Sequence, residues 1–344
     1  MKVLHINLAK GFRGGERQTE ILIRALAIKP EVKQSLACRK DSTLRQNLLK
    51  IENLDFIDAD NQILGHFKAA KFDIMHAHDA KAVHWAYFHN LITNTPYIIT
   101  RRVDQIIKNK WFNKKTYSSA ASVVAISSLI QTLINQKNWN KNVRLIPSVM
   151  ADFKVNKEIT KNFKSEFDGK ILIGNAGALV DKHKGQRLLI EVARSLKDSH
   201  PHLQFIFFGR GTDEAILKEE SKDLHNITWA GFKENIADYI AALDIFAFPS
   251  RNEGLGSILL DVMNTGVPVV AANIGGIPDI VINNKTGLLF EVNNAKSLEN
   301  TLLEMINSPE KQNEYILNAK SQLVQYSPNM MANSYLDLYE QLIY

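Results

Sequence analysis

The sequence has one cysteine in 344 residues, and that scarcity removes several function classes at once. A single thiol can neither close a disulfide within the chain nor build a cysteine-based metal cluster, and it fits a reducing compartment. No run approaches the roughly 20 apolar residues that a spanning helix needs. The opening stretch MKVLHINLAKG lacks the long apolar core and small-residue cleavage site of a signal peptide, so the expectation is a soluble, cytoplasmic protein. An internal repeat and a low-complexity tract are missing too. So is the G-x-G-x-x-G spacing of dinucleotide loops, which counts against a dehydrogenase.

What is present starts with length and charge. A chain of 344 residues is long for one core, which favours two domains. Residues 1–150 hold 23 Lys and Arg against 11 Asp and Glu, or +12, whereas the remainder holds 19 against 25, or −6. Such asymmetry suggests that the two parts meet different partners, one of them anionic.

Short apolar runs alternate with amphipathic stretches along the whole chain. Runs at 3–8, 56–57, 74–77, 97–100, 123–126 and 143–146 read as strands, and residues 147–158 read as a linker. A second series of strands follows at 171–174, 205–209, 227–229, 245–248, 267–271 and 287–290. Strands interleaved with helices imply an α/β class, with two successive doubly wound domains at 1–150 and 151–326. The tail at 327–344 carries Met331, Tyr335, Leu338, Tyr339 and Leu342 on one stripe. It reads as an amphipathic helix that needs a partner surface.

Two segments stand out chemically. Gly14-Gly15 lies between the first strand and its helix, where backbone N–H groups and the helix start favour a phosphate. A plain structural turn explains the same glycines. The second segment runs from Phe248 to Asp261. A buried strand ends, a polar loop presents Glu253, and a helix with Gly256 and Ser257 at its start follows. Glu253 and Asp261 are eight residues apart, a rise of about 12 Å on a helix. That is too far for a glycosidase pair, but it suits the two ends of a long ligand with a diphosphate in its middle.

These residues resemble the retaining, nucleotide-sugar-dependent glycosyltransferases of family 4 (glycosyl transferases group 1), which have the GT-B fold. The resemblance rests on Gly14-Gly15-Glu16-Arg17, on Glu253-x7-Asp261, on Thr265-Gly266-Val267-Pro268-Val269-Val270-Ala271, and on Gly275-Gly276-Ile277-Pro278-Asp279 ahead of Gly287. It implies two facing Rossmann-like doubly wound domains with an interdomain cleft. The N-terminal domain would be the acceptor side and the C-terminal one would bind the donor, and the terminal helix would cross back onto the N-terminal domain.

Residue by residue, the resemblance implies that Glu253 binds hydroxyls of the donor sugar and Asp261 the ribose. The family usually has Glu at the second place, so Asp261 is one methylene short. Lys184 matches a lysine that binds the donor diphosphate, assisted by backbone N–H groups at Gly15 and from Gly256 through Ser257 to Ile258. Where many members have an arginine, Ala178 stands, and His183 or Lys182 is the candidate replacement cation. His78 matches a histidine near the sugar and acceptor. Phe232 and Lys233 are placed near the base, with uracil the most frequent in the family. No metal or cofactor is required, the nucleotide sugar being a co-substrate.

Other residues admit plainer readings. His76 shares a strand face with His78, and packing alone accounts for one of the two. His-x-His without further nearby ligands is a weak metal signal. Asp58-Ala59-Asp60 imitates a metal-binding motif of a different fold and reads as a solvated loop. Arg101 and Arg102 follow a strand, so at least one of them should point toward the interdomain cleft and take an acceptor phosphate, with a surface or structural salt bridge the plainer alternative. Lys108, Lys110, Lys114 and Lys115, interleaved with Trp111 and Phe112, suit an anionic membrane surface, as at the inner face of a cytoplasmic membrane, or form an ordinary basic face.

The expected reaction moves a sugar from a nucleotide diphosphate donor, a UDP-sugar first, to a hydroxyl of an envelope glycan or glycolipid such as a lipopolysaccharide core. His78, Glu253 and Lys184 would be the catalytic group. The alternatives are a nucleotide-sugar epimerase of the same fold and a non-catalytic glycan- or nucleotide-binding protein. Nucleic-acid binding rests only on the +12 charge and lacks a reading motif.

Overall fold

The computed structural model describes residues 1–60, 65–66, 71–151 and 153–344. The chain forms two compact units, one of Met1–Val149 with Tyr326–Tyr344, the other of Met150–Gln325.

The first unit is built on seven strands, β1 (Lys2–Ile6), β2 (Lys33–Cys38), β3 (Leu54–Asp58), β4 (Ile74–Ala77), β5 (Tyr97–Arg101), β6 (Ser122–Ala125) and β7 (Val143–Leu145). Their order is β3-β2-β1-β4-β5-β6-β7. Neighbours are parallel, with His5 of β1 opposite His76 of β4. Parallel pairing demands crossover helices, and these bury one sheet face on helix Gly14–Ala27. The last helix, Pro328–Ile343, packs beside that helix on the same core. Ser327 caps it by accepting from the Met330 N–H, and Pro328 supplies a preset φ at its first position. The striped residues Met331, Tyr335, Leu338 and Tyr339 are all buried against Val3, Leu22, Ile74 and Ile98. Each large side chain so covered contributes about 1.5–3 kcal/mol.

Strand β2 is absent from the sequence expectation. Its Lys33, Gln34 and Ser35 interrupt the apolar run that marks a strand. Gln34 and Ser35 are nevertheless buried. For Gln34 the reason is visible, because its amide is bonded at both ends, to His5 and to the Ile23 carbonyl.

The second unit has six parallel strands, β8 (Ile171–Ala176), β9 (Leu203–Phe208), β10 (Ile227–Gly231), β11 (Ile245–Phe248), β12 (Val269–Ala272) and β13 (Leu288–Phe290). Their order is β10-β9-β8-β11-β12-β13. Its core joins Phe205, Phe207, Ile245 and Val270 of the sheet to Leu189 and Leu302 of two flanking helices.

Both sheets reverse their strand order beside the first strand of the unit, between β1 and β4 and between β8 and β11. In open parallel sheets, ligands bind beyond the strand ends at that reversal. The chain segments leaving those four strands begin at Asn7, His78, Gly177 and Pro249.

Candidate active site

In the second unit, the reversal between β8 and β11 brings Lys184 onto Glu253. Lys184 ends a short helix, Asp181–Lys184, and Gly185 follows it with φ +67°. A Cβ at Gly185 would lie 2.1 Å from the Pro249 carbonyl oxygen, so only glycine lets the two loops meet. The Lys184 ammonium then touches Glu253 Oε1, and Ser250 Oγ donates to the same oxygen at 2.8 Å. Both bonds fall on Oε1, which leaves Oε2 available to a ligand hydroxyl. The Glu253 loop is fixed from its other side by Gly275 and Gly276. Gly276 N–H donates to the Glu253 carbonyl at 3.0 Å, and a Cβ at Gly275 would meet that oxygen at 2.1 Å.

Below this pair, Asp181 ties the loops together. It accepts from Arg251 Nη1 at 2.7 Å and from Arg187 Nη1 at 3.1 Å. Burial opposes ionisation of Asp181, but the Arg187 N–H and the two guanidinium groups outweigh it and hold the carboxyl below its usual range. The Arg251 N–H also donates to the His183 carbonyl at 2.8 Å. His183 and Lys182 are both exposed beside Lys184.

Helix Ile258–Thr265 begins just after Glu253, with Gly256 at φ +81°. Its first backbone bonds run from Leu259 to Gly256 and from Leu260 to Ser257. The N–H groups of Gly256, Ser257 and Ile258 therefore precede the helical ladder, the arrangement that attracts a phosphate. Asp261, in the first turn, accepts from the Ala151 N–H at 2.7 Å. Its carboxylate is thus engaged with the chain segment that enters the unit.

One cation escaped the sequence reading. Arg210 follows β9 between Gly209 and Gly211, and a Cβ at either glycine would meet a carbonyl of the 177–179 segment within 2.2 Å. Leu179 N–H donates to the Arg210 carbonyl at 2.9 Å. Arg210 therefore stands beside Ala178, where many members of the resembled family carry arginine. Its guanidinium lies 5.7 Å over the exposed Phe232 ring, while Lys233 Nζ lies 4.6 Å over Tyr239. Gly-Arg-Gly after six buried residues of strand was the available signal.

In the first unit, His78 follows β4 and is buried, with Nδ1 lacking a hydrogen-bond partner among the described residues. His78 Nε2 is 3.0 Å from His5 Nδ1, and His5 Nε2 is 3.0 Å from Gln34 Oε1. His76 faces the opposite fate. Its Nδ1 pairs with Tyr339 OH at 2.7 Å and its Nε2 with Thr100 Oγ1 at 2.6 Å. His5, His76 and His78 lie close enough to suggest a metal triad. Yet His5 and His76 spend both ring nitrogens on protein partners and His78 spends one, so the set offers one free nitrogen, too few for a metal.

The two arginines at the end of β5, Arg101 within it and Arg102 just beyond, diverge. Arg101 donates to Tyr117 OH at 3.2 Å and to the Gln105 carbonyl, so it braces its own loop. Arg102 packs with Cδ 3.5 Å from where a Gly15 Cβ would stand, and its Nη1 reaches Ser148 Oγ at 3.4 Å. Arg102 Nε and Nη2 are shut from solvent without a hydrogen-bond partner among the described residues, a costly state that an anion would relieve. Gly15 lies in the first turn of helix Gly14–Ala27, whose ladder opens with Arg17 N–H to Arg13 carbonyl. Glu16 closes that turn by accepting from the Arg13 N–H at 2.9 Å. Arg102, Gly15 and His78 thus join the strand-end loops of β5, β1 and β4.

Asp58 and Asp60 pair with Arg45, Lys40 and Arg39, as a charged loop does. The four lysines at 108, 110, 114 and 115 are exposed. Lys114 and Lys115 are on helix Trp111–Ser118, and the other two precede it.

The chain is similar to proteins of known family and structure. Residues 156–322 match the family described as glycosyl transferases group 1. An uncharacterized glycosyltransferase of Methanocaldococcus jannaschii is 26% identical over 239 residues, which are 69% of this chain and 64% of that protein. The lipopolysaccharide core biosynthesis mannosyltransferase LpsB of Rhizobium meliloti is 32% identical over 161 residues, 40% of this chain and 46% of that one. The chain spans less than two thirds of the length of these curated relatives. Anabaena HepE in complex with UDP-glucose superposes with a TM-score of 0.84 at 18% identity, covering 99% of this chain and 100% of the other. That likeness, with the two parallel sheets, establishes the GT-B fold. The match to the glycosyl transferases group 1 covers residues 156–322, most of the second unit.

Proposed function

We propose that the chain is a retaining glycosyltransferase that moves a sugar from a UDP-sugar to a hydroxyl of an envelope glycolipid. The observation that carries the reading is the meeting of Lys184 with Glu253 beside the amides of residues 256–258. A cation and free N–H groups suit a diphosphate, and a carboxylate with one available oxygen suits sugar hydroxyls. The family match over this unit supports it, as do HepE, which was crystallised with UDP-glucose, and LpsB, which is named for lipopolysaccharide core synthesis.

In this mechanism the bond from the sugar's anomeric carbon to the β-phosphate oxygen breaks, and negative charge grows on the nucleoside diphosphate. Lys184 and the helix amides stabilise that charge where it develops. The acceptor oxygen bonds to the anomeric carbon on the same face, and its proton passes to a leaving phosphate oxygen. Glu253 holds the sugar hydroxyls, Asp261 meets the ribose, and Phe232 and Lys233 meet the base. Arg210, beside Ala178, supplies the cation that Ala178 lacks, with His183 a second source. On the first unit, Arg102, beside Gly15, takes a phosphate of the acceptor.

The test is incubation with a panel of nucleotide sugars, with and without phosphorylated glycolipids, followed by NMR. UDP-sugar consumption that vanishes in Glu253→Ala and Lys184→Ala is expected, with the anomeric configuration kept in the product. If no donor is bound or consumed under any condition, the reading fails, and an inverted product removes retention.

We also propose that the first unit docks on an anionic membrane. Val103, Ile106 and Trp111 are 54%, 68% and 75% exposed, and the four lysines interleave with them. Each Lys near such a surface is worth about 1 kcal/mol. Sedimentation with anionic vesicles should weaken with salt and with replacement of all four lysines by glutamine. Binding that is indifferent to both excludes this surface.

A further inference from the structure

Three hydrogen bonds fix where the protons sit in the histidine cluster. Gln34 Nε2 donates to the Ile23 carbonyl at 3.0 Å, so Gln34 Oε1 is the end that faces His5. Flipping the amide would set Oε1 against a carbonyl oxygen. An amide oxygen only accepts, so His5 Nε2, 3.0 Å away, carries the hydrogen. Burial pushes His5 down to about 4 against the raising effect of Gln34, so its ring is neutral near pH 7 and its Nδ1 is a bare acceptor. His78 Nε2, 3.0 Å from that nitrogen, must then be the donor. Burial, together with His76, His5 and Arg102, holds His78 well below its ordinary range, so this ring is neutral as well. The Nδ1 of His78 is left with a lone pair, buried and unpartnered.

We propose that Gln34 and His5 are positioning residues that lock His78 as its Nε2–H tautomer, so that Nδ1 accepts a hydrogen bond from a hydroxyl of the acceptor. This rests on the glycosyltransferase reading and assigns a polarity to it. A lone pair takes a hydroxyl and rejects an anion, whereas the unpartnered Arg102 nitrogens take an anion. The two together select a ligand that carries both a phosphate and a free hydroxyl. His76 is no substitute, since Tyr339 and Thr100 occupy its two nitrogens.

The experiment is long-range proton–nitrogen NMR on the full chain with 15N-labelled histidine rings, assigned through bonds to the backbone, first without ligand at pH 7. Both His5 and His78 should carry hydrogen on Nε2 and none on Nδ1. A hydrogen on His78 Nδ1, or a doubly protonated ring, overturns the proposal. Addition of a consumed UDP-sugar with its acceptor should move the His78 Nδ1 signal alone among that ring's nitrogens toward the hydrogen-bonded position, and an unmoved signal also overturns it. Gln34→Glu supplies a carboxylate that favours a protonated His5, which would donate through Nδ1 and drive the His78 hydrogen onto Nδ1. Transfer should then fall about tenfold or more in kcat/KM. A reversed tautomer with unchanged transfer refutes the role. The ligand-free wild-type spectrum decides the tautomer even if the variant fails to fold. Because it is read without substrate, failure of the donor panel leaves the tautomer standing, and failure of the tautomer leaves donor consumption standing.

Discussion

The two units solve the same topological problem with different materials. In the first, the strand reversal is furnished with buried side chains, His5, His76, His78, Gln34 and Thr100, whose ring nitrogens and hydroxyls pair inside the sheet. In the second, it is furnished with turns, and Gly185, Gly209 and Gly275 let backbone approach backbone so that Lys184 and Glu253 meet at a rim. The first arrangement is neutral, desolvated and sensitive to protons. The second is charged, partly solvated and sensitive to Cβ atoms.

The largest expected effect separates chemistry from folding. Lys184→Met should lower transfer by about 100- to 1000-fold, the usual cost of removing a donor aimed at developing charge. Hydrogen exchange, read segment by segment, should show the first unit untouched. Comparable loss of protection in both units would break the comparison, because the Lys184 pair would then be structural for the whole chain.

Acid should discriminate in the opposite direction. His5 has a folded pKa of about 4 against an ordinary 6.5. The unfolded chain therefore binds more protons between those values, and stability falls as pH drops through that window. His5 alone accounts for roughly 3 kcal/mol by pH 4, and burial lowers His89 in the same sense, also to about 4. Asp181 of the second unit is held below 3.8, so its contribution is present above that value and lost only as pH falls beneath it. Between pH 6.5 and 4 the first unit should lose exchange protection before the second. Equal loss, or loss first in the second unit, contradicts this assignment.

Gly185→Ala should reverse the pattern again. The left-handed backbone and a 2.1 Å overlap with the Pro249 carbonyl make a cost of about 1–3 kcal/mol expected, confined to residues 150–325. A thermal melt with exchange readout checks it. Tyr339→Phe is the smallest change. It deletes the hydroxyl paired with His76 and should cost the first unit about 1 kcal/mol, leaving donor affinity within twofold by titration calorimetry.

Legibility in the sequence followed the same division. Glycines that follow a charged residue in a loop, as Gly185 after Lys184 and Gly254 after Glu253, are visible in one dimension, because the turn and the functional side chain are neighbours in the chain. Buried polar pairs are not. Gln34, His5 and His78 are scattered over 73 positions, and Gln34 made its own strand unreadable by interrupting the apolar run. The choice between Arg101 and Arg102 was equally hidden, since alternation along β5 says that they diverge but not which one reaches Gly15. Asp261 was legible as an acidic helix residue, whereas its bond to the Ala151 N–H depends on the path of the incoming chain.

Tyr335 and Tyr339 complete the core of a unit whose other members lie before residue 150. A ribosome therefore delivers the first unit incomplete and keeps it so while about 175 further residues are made, many seconds at ordinary synthesis rates. The second unit, continuous from Met150 to Gln325, has its whole sequence earlier. Order of birth and order of completion are reversed in this protein. A nascent chain stalled before residue 339 should accordingly expose the apolar face of β1 and β4 to chaperones, with His76 still lacking its tyrosine partner.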